Sequence, residues 1–137
     1  MEVVTIKWFG PYGFHTLNHY DISLDKGIYA IYQIFRGKET LLYIGKTSRN
    51  FLTRIKEHNY WLHELKDECR IRLGVIQSGT HQRYSQKKLD DIESLLITWH
   101  APSENTTNSN YYYGRHRLTV LNIGRRGSCC RSRKMAA

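Results

Sequence analysis

Two tripeptides, Gly27-Ile28-Tyr29 and Tyr43-Ile44-Gly45, constrain this chain more than any other feature of its sequence. Each lies in a run of β-branched and aromatic residues, 27–35 and 40–45, whose composition is typical of strands. Residues 36–39, between the two runs, are polar and include a glycine. A short polar loop between two strand-like runs is typical of a β-hairpin. The sequence therefore predicts a hairpin whose two strands each carry one tripeptide.

Apolar periodicity predicts further strands on either side of this hairpin. Residues 3–9 favour a strand, whereas residues 10–26 contain several turn-forming residues and are expected to form a loop. Residues 70–77 alternate between polar and apolar side chains, which is the pattern of a half-buried strand. We count this segment as the third strand of the sheet.

Two segments have helical spacing. Apolar residues run with that spacing from 51 to 65, after several N-cap candidates in 47–50, and a break is expected near Asn59. Residues 86–100 form the clearest helical pattern. The order strand, strand, helix, strand, helix predicts a small α/β (α+β) sandwich. Its central sheet is expected to have three mainly antiparallel strands flanked by helices.

Size and composition predict one domain over residues 1–127. The chain has 137 residues, of which 40% are apolar, enough to bury one modest core. It contains no apolar run long enough to cross a membrane and no signal-peptide pattern, so we expect a cytoplasmic protein. Its three cysteines, Cys69, Cys129 and Cys130, match no metal-ligand spacing, which favours reduced thiols.

Positive charge is concentrated towards the C-terminal end. The net charge is +9, and residues 105–137 hold seven Lys or Arg residues and no acidic residue. Such a density suits a polyphosphate partner, although a solvated tail is the alternative. Residues 128–137 favour a basic, flexible tail, whereas apolar residues within 115–126 predict a folded nucleic-acid-binding segment. The residues that we expect to contact nucleic acid are Arg49, Arg115, Arg117, Arg125 and Arg126.

Glu93 is the strongest chemical signal outside the hairpin. It lies on the apolar face of the predicted helix, one turn after Leu89 and one turn before Ile97. A carboxylate that faces a core is costly unless a cation or several hydrogen-bond donors meet it. Mg²⁺ commonly takes one or two protein carboxylates and keeps most of its waters. The alternative is a glutamate at the edge of the core that pairs with an arginine or reaches solvent.

Arg54 and His58 are four residues apart in a predicted helix, so they are expected to project from the same face. A guanidinium group fits phosphate oxygens with several donors and stays charged. Lys56 and Glu57 are neighbours, so a solvated helix face is the alternative to a phosphate site.

Together these elements resemble the GIY-YIG nuclease family. The resemblance covers residues 27–105, where the family's elements follow one another in order. After the two tripeptides, the matching residues are Arg54, His58, the Glu93-Ser94-Leu95-Leu96 block, Pro102 and Asn105. Histidine at position 58 is similar to the intron-homing members and to some restriction members. The chain is short, so it resembles a small stand-alone member.

The resemblance implies a metal-dependent endonuclease that hydrolyses phosphodiester bonds, with double-stranded DNA as the expected partner. It implies that Glu93 holds a single Mg²⁺ or Mn²⁺ ion and that Arg54 balances charge in the transition state. Tyr29 is expected close to the attacking water, with help from Tyr43 or Lys46.

The sequence leaves two assignments open. A free tyrosine has a pKa of about 10, so Tyr29 or Tyr43 needs cationic neighbours to act as a base, and His58 is a competing base. Asn105 is expected to support the site through hydrogen bonds, and Asn108 is an alternative for that role.

A non-catalytic protein is the competing hypothesis. The same fold can serve as a nucleic-acid-binding module that does not cleave, or that cleaves only with a partner. The small size of the chain favours this alternative, whereas the intact Tyr29, Arg54 and Glu93 favour an enzyme.

Overall fold

The sheet is larger than the three strands that the sequence predicted. In a computed structural model of the protein, which describes residues 2–77, 85–105, 118–127 and 134–136, six strands form one mixed sheet. The strands are β1 (Glu2–Gly13), β2 (Gly27–Phe35), β3 (Lys38–Thr47), β4 (Cys69–Gln77), β5 (Leu118–Gly124) and β6 (Lys134–Ala136). Their order across the sheet is β3-β2-β4-β1-β5-β6.

The predicted three-stranded sheet is one half of the observed one. Strands β3, β2 and β4 are adjacent and antiparallel, as predicted, and β1 extends this sheet by pairing antiparallel with β4. The prediction of three strands was wrong because β5 pairs in parallel with β1, residues 118–124 against 2–8. These two segments come from distant parts of the chain, and local periodicity carries no information about such a pairing.

The predicted hairpin is confirmed. Arg36 and Gly37 form its two-residue turn with φ angles of 51° and 78°. Positive φ at both central residues is the signature of the type I′ turn, whose twist matches that of paired strands. The pairing places Tyr29 of β2 opposite Gly45 of β3.

The helices cover both faces of the sheet. They are α1 (Phe51–Lys56), α2 (Asn59–Leu62) and α3 (Gln86–His100), and 3₁₀ turns occupy Leu17–His19, Asp21–Leu24 and His63–Glu68. The prediction of helix 86–100 is confirmed, and the break expected near Asn59 separates α1 from α2. Asn50 caps α1, its side chain accepting a hydrogen bond from the Thr53 amide at 2.8 Å. None of the helices in the described segments is long and apolar enough to span a membrane.

The segment 10–26, expected to be a loop, is partly regular. Strand β1 continues as far as Gly13, with an irregular register between Phe9 and Tyr12, and two of the 3₁₀ turns follow it. Gly10 has φ of +116°, and a β-carbon there would lie 2.8 Å from the carbonyl oxygen of Ile71. Irregularity of this kind carries no periodic signal.

Alternation along the strands creates two cores. On one face, Ile28, Ala30 and Ile44 pack with the apolar residues of α3. On the other face, Tyr29 and Ile31 pack with the segment that contains α1 and α2. Strand β3 lies at the edge of the sheet. Side chains on its two faces can therefore approach one another only around this edge.

The C-terminal part is described only in pieces. Strand β5 confirms that residues 118–124 are folded, and β6 pairs antiparallel with it. Residues 134–136 of the predicted flexible tail form β6, so the prediction is wrong for these three residues, while residues 128–133 and 137 lie outside the described residues.

Gly45 has a packing role that the hairpin register explains. A β-carbon at Gly45 would lie 2.3 Å from Cζ and 2.4 Å from the hydroxyl oxygen of Tyr29. The Tyr29 ring therefore lies directly over the Gly45 backbone, and an added methyl group would displace it.

We predict that Gly45→Ala destabilises the protein by about 1–3 kcal/mol, because the added methyl group overpacks a buried contact. Urea denaturation of the variant and the wild type measures the change. Gly13→Ala is the matched control, since its β-carbon would meet only the flexible Thr16 side chain, at 3.3 Å, without a positive φ angle. If both variants unfold at the same urea concentration, the Tyr29 ring has room to move.

Candidate active site

The aromatic part of the site is built on the two hairpin strands and the α1–α2 segment. A cavity of about 390 Å³ is lined by Tyr43, Arg54, Glu57, His58, Tyr60, Trp61 and Glu104. Three of the predicted site residues, Tyr43, Arg54 and His58, thus border one space. The prediction that Arg54 and His58 lie on one helix is wrong, because α1 ends at Lys56 and His58 lies at the junction before α2.

Tyr29 lies behind this cavity. Its side chain is fully buried at 0% exposure, and its hydroxyl oxygen is 2.7 Å from Nε2 of His58. The His58 ring packs against Tyr43 with centroids 4.7 Å apart. His58 therefore joins the tyrosines of both strands.

Arg54 is held by a carboxylate in the free protein. Its Nη1 donates to Oε1 of Glu57 at 3.0 Å, and Arg49 donates to the same oxygen at 2.7 Å. The Arg54 side chain is 33% exposed and lies at the cavity wall. An oxygen that accepts from two guanidinium groups occupies the position that a phosphate oxygen could take.

A second cluster lies around the edge of β3, on the side of α3. Because side chains alternate along a strand, Lys46 points to the face opposite Tyr43 and Gly45. Its Nζ is 2.7 Å from Oδ1 of Asp90 and 3.2 Å from Oε1 of Glu93. Glu93 is mostly buried, with 15% of its side chain exposed.

Arg54 connects the two clusters. A smaller cavity of about 170 Å³ is lined by Lys46, Thr47, Ser48, Arg49, Arg54 and Gln86. Arg54 thus borders both the aromatic cavity and a cationic cavity beside Lys46. The structure therefore brings six predicted residues, Tyr29, Tyr43, Lys46, Arg49, Arg54 and His58, into two adjoining cavities and their walls.

The environment raises the pKa of Glu93 and the pKa of Lys46 for different reasons. Burial raises the pKa of Glu93, although the neighbouring Lys46 opposes this change. Burial alone would lower the pKa of Lys46, but its hydrogen bond with Asp90 and its pairing with Glu93 raise it overall. The charged form of Lys46 is therefore stabilised, whereas burial disfavours the charged form of Glu93.

Neither tyrosine is activated in the free protein. Burial, and then the nearby Tyr43, raise the pKa of Tyr29, and Arg54 opposes them only in part. Burial and Glu93 raise the pKa of Tyr43. The cationic neighbours that the sequence suggested as activating groups are present, but burial and Glu93 outweigh them.

His58 is neutral at neutral pH. Burial, with a further contribution from Arg54, lowers its pKa to about 4, and Glu57 opposes this shift. Only 5% of the residue is exposed. The imidazole therefore acts in its neutral form, with one protonated ring nitrogen.

Asn105 supports the edge strand rather than the cavity. Its Oδ1 accepts from the Ile44 amide and its Nδ2 donates to the Ile44 carbonyl oxygen, both at 2.9 Å. The side chain thus pairs with β3 as a neighbouring strand would, between Tyr43 and Gly45. Its role is to position the strand, and Asn108 lies outside the described residues.

The basic residues of the predicted nucleic-acid surface are divided. Arg49 lies at the site, whereas Arg125 lines a different cavity with Tyr12 and Tyr20. Arg126 follows it in the turn after β5. Arg115 and Arg117 lie outside the described residues, so their contribution stays a prediction.

Three residues of the site escaped the sequence interpretation. Glu57 holds both arginines, Asp90 pairs with Lys46, and Trp61 donates from Nε1 to Nδ1 of His58 at 3.0 Å. Because Asp90 lies one helical turn before Glu93, the spacing along the helix could have identified it. Glu57 and Trp61 depend on the turn between α1 and α2, which periodicity does not fix.

The oxygen donors fit a cation that keeps most of its waters. No group of three or more His, Cys, Asp or Glu side chains with metal-ligand geometry occurs among the described residues. Glu93 and Asp90 nevertheless converge on one cationic point, the Lys46 ammonium group. Hard carboxylate oxygens on consecutive turns are suited to Mg²⁺ or Mn²⁺.

Comparisons of the chain with family models, with curated proteins and with solved structures gave no match. The resemblance to GIY-YIG nucleases therefore stays an expectation from the motif residues.

We predict that protonation of His58 weakens the fold at acid pH. Its folded pKa of about 4 lies below the value of 6.5 of an unperturbed histidine, so only the unfolded chain gains this proton between those values. Stability from this residue is present above pH 6.5 and decreases as the pH falls towards 4. Between about pH 7.5 and about pH 5 we expect roughly 1–2 kcal/mol from His58.

Urea denaturation at both pH values, in the wild type and in His58→Gln, measures this effect. The variant should lose less stability on acidification than the wild type does. His100→Gln provides a second test of the same argument: burial also lowers the pKa of His100 to about 4, so this variant too should lose less stability on acidification than the wild type does. Equal pH dependence in wild type and His58→Gln contradicts the prediction.

Proposed function

We propose that the protein is a metal-dependent endonuclease of the GIY-YIG type that hydrolyses phosphodiester bonds in DNA. The observation that carries the proposal is the position of Arg54, which borders both the cavity of Tyr43 and His58 and the cavity of Lys46. A phosphate at Arg54 would lie between a group of proton-handling side chains and a carboxylate cluster. Phosphodiester hydrolysis needs both.

Arg54 is the proposed ligand of the scissile phosphate. Its guanidinium group now donates to Glu57, and phosphate oxygens would replace that carboxylate oxygen with similar geometry. Positive charge at this point would stabilise the charge that develops on the phosphate. Such a donor is typically worth about 10²–10³ in rate.

Glu93, with Asp90 one turn away, is the proposed holder of Mg²⁺ or Mn²⁺. When bound, the cation would stabilise negative charge on the leaving oxygen. Neutralisation of Glu93 would also remove the contribution by which this carboxylate raises the pKa of both tyrosines. In the free protein, Glu93 shares the ammonium group of Lys46 with Asp90.

The expected substrate is duplex DNA. Arg49 lies beside Arg54, where it would contact the same strand, and the net charge of +9 favours a polyanion. Contacts with phosphates would make binding weaker at higher salt.

A second candidate function is a nucleic-acid-binding module of the same fold that does not cleave. Two observations favour it. The Tyr29 side chain is fully buried, and Lys46 already pairs with both carboxylates that would hold the metal. Cleavage assays on plasmid, branched and single-stranded DNA, with and without Mg²⁺, separate the two candidates. A binding module would bind the DNA and leave it uncut under all of these conditions.

We predict that Glu93→Gln removes metal-dependent cleavage but not DNA binding. The amide keeps the shape of the side chain and loses the charge that a divalent cation requires. Single-turnover cleavage should fall by at least about 10²-fold, while the Kd for duplex DNA, measured without divalent cations, stays within about threefold. The exposed Glu64→Gln is the matched control, and cleavage by Glu93→Gln at the wild-type rate would refute the metal assignment.

We predict different effects for the two arginines that share Glu57. Arg54→Ala should slow single-turnover cleavage by about 10²–10³-fold, because it removes charge from the reacting phosphate. Arg49→Ala should instead weaken DNA binding and flatten its salt dependence by about one unit of the log–log slope. Each variant removes one cation from the same carboxylate, so each is the control for the other. Equal effects of both on the rate would assign Arg54 to general binding.

A further inference from the structure

The hydrogen bonds around His58 fix which of its ring nitrogens carries the proton. Trp61 Nε1 lies 3.0 Å from His58 Nδ1. An indole N–H is a donor only, so Nδ1 must offer a lone pair and carries no hydrogen. A neutral imidazole has one N–H group, which must then be on Nε2.

The direction of the next hydrogen bond follows from this assignment. His58 Nε2 is 2.7 Å from the hydroxyl oxygen of Tyr29. With its hydrogen on Nε2, the imidazole donates and the Tyr29 oxygen accepts. The hydroxyl hydrogen of Tyr29 must therefore point away from His58.

We propose that Trp61 is a positioning residue that sets the tautomer of His58, so that His58 is a hydrogen-bond donor to Tyr29 and not the general base. This inference deepens the nuclease proposal and rests on it for its catalytic meaning. Nε2 already carries a hydrogen, and the lone pair of Nδ1 is engaged by Trp61. His58 therefore has no free lone pair with which to accept a proton from Tyr29 or from water.

The consequence for Tyr29 is specific. A donor at 2.7 Å stabilises negative charge on the Tyr29 oxygen, as would be needed if this hydroxyl loses its proton during the reaction. The other groups that face His58 agree with a neutral ring. Arg54 from α1 disfavours a second proton on the imidazole, Glu57 only partly offsets it, and Tyr43 of β3 contributes a ring face.

The tautomer can be read directly by NMR of the free protein labelled with ¹⁵N-histidine. Long-range proton–nitrogen correlations distinguish the Nε2–H form from the Nδ1–H form. We expect wild-type His58 in the Nε2–H form. Trp61→Phe keeps a ring in place and removes the N–H donor, so it should give a mixture with Nδ1–H. A wild-type Nδ1–H form, or a Trp61→Phe spectrum identical to that of the wild type, overturns the proposal.

Cleavage by two His58 variants separates a donor from a base. The Gln side chain places an amide donor near the position of Nε2 but cannot accept a proton at neutral pH. We expect His58→Gln to cleave within about tenfold of the wild type and His58→Ala to lose at least about 10²-fold in single-turnover rate. If Gln and Ala lose activity equally, His58 acts as the base and the proposal fails.

Trp61→Phe tests the positioning role through the rate. The lost hydrogen bond should slow single-turnover cleavage by about 5- to 10-fold with an unchanged Kd for DNA. Trp99→Phe, on the half-exposed end of α3, is the matched control and should match the wild type. If the wild type cleaves no substrate, the nuclease proposal falls, while the NMR result still decides the tautomer of His58.

Discussion

The contact between the Tyr29 ring and the Gly45 backbone is the constraint on which the rest of the site depends. The hairpin register pairs these two residues, and a β-carbon at Gly45 would lie within 2.4 Å of the Tyr29 hydroxyl. With Tyr29 pressed against β3, its hydroxyl points towards the α1–α2 junction and meets His58. A hairpin with a larger residue at position 45 would keep its strands and lose this alignment.

The edge position of β3 explains how one site uses both faces of the sheet. Tyr43 points to the α1–α2 side and Lys46 to the α3 side, and only at an edge can one ligand approach both. An edge strand exposes unpaired backbone groups. The Asn105 side chain satisfies the amide and the carbonyl of Ile44, and the Glu104 amide donates to the Leu42 carbonyl oxygen at 2.8 Å. The segment after α3 therefore blunts the edge while leaving the Tyr43 side chain in the cavity.

Local patterns predicted the hairpin and α3 because their determinants are close in sequence. The Arg36-Gly37 turn and the Ser85 cap of α3 each depend on a few neighbouring residues. Strand β5 was missed because its partner β1 is distant in the chain. The apolar spacing of α3 did not predict that Asp91 is buried beside Lys87. Periodicity assigns the apolar and polar faces of a helix, but the Lys87–Asp91 ion pair offsets part of the cost of burying the Asp91 carboxylate.

The same limit applied to the site. Motif spacing suggested Tyr29, Tyr43, Arg54, His58 and Glu93 as candidate site residues, yet it did not suggest the side chains that contact them. Glu57 and Trp61 reach the site because the chain turns between α1 and α2, and this turn was expected only as a break near Asn59. The tautomer of His58 follows from Trp61, so no argument from spacing could have separated a donor from a base.

Internal ion pairs determine what a ligand must replace at this site. Arg49 and Arg54 share the carboxylate of Glu57, and Asp90 and Glu93 share the ammonium group of Lys46. On the proposed function, a phosphate would compete with Glu57 and a divalent cation would compete with Lys46. Released from Glu93, the Lys46 ammonium group would be free to meet the phosphate in the cavity that it shares with Arg54. A metal bound at Glu93 would release Lys46 for the phosphate, and a phosphate bound to Lys46 would release Glu93 for the metal. Binding of metal and binding of DNA would therefore favour each other.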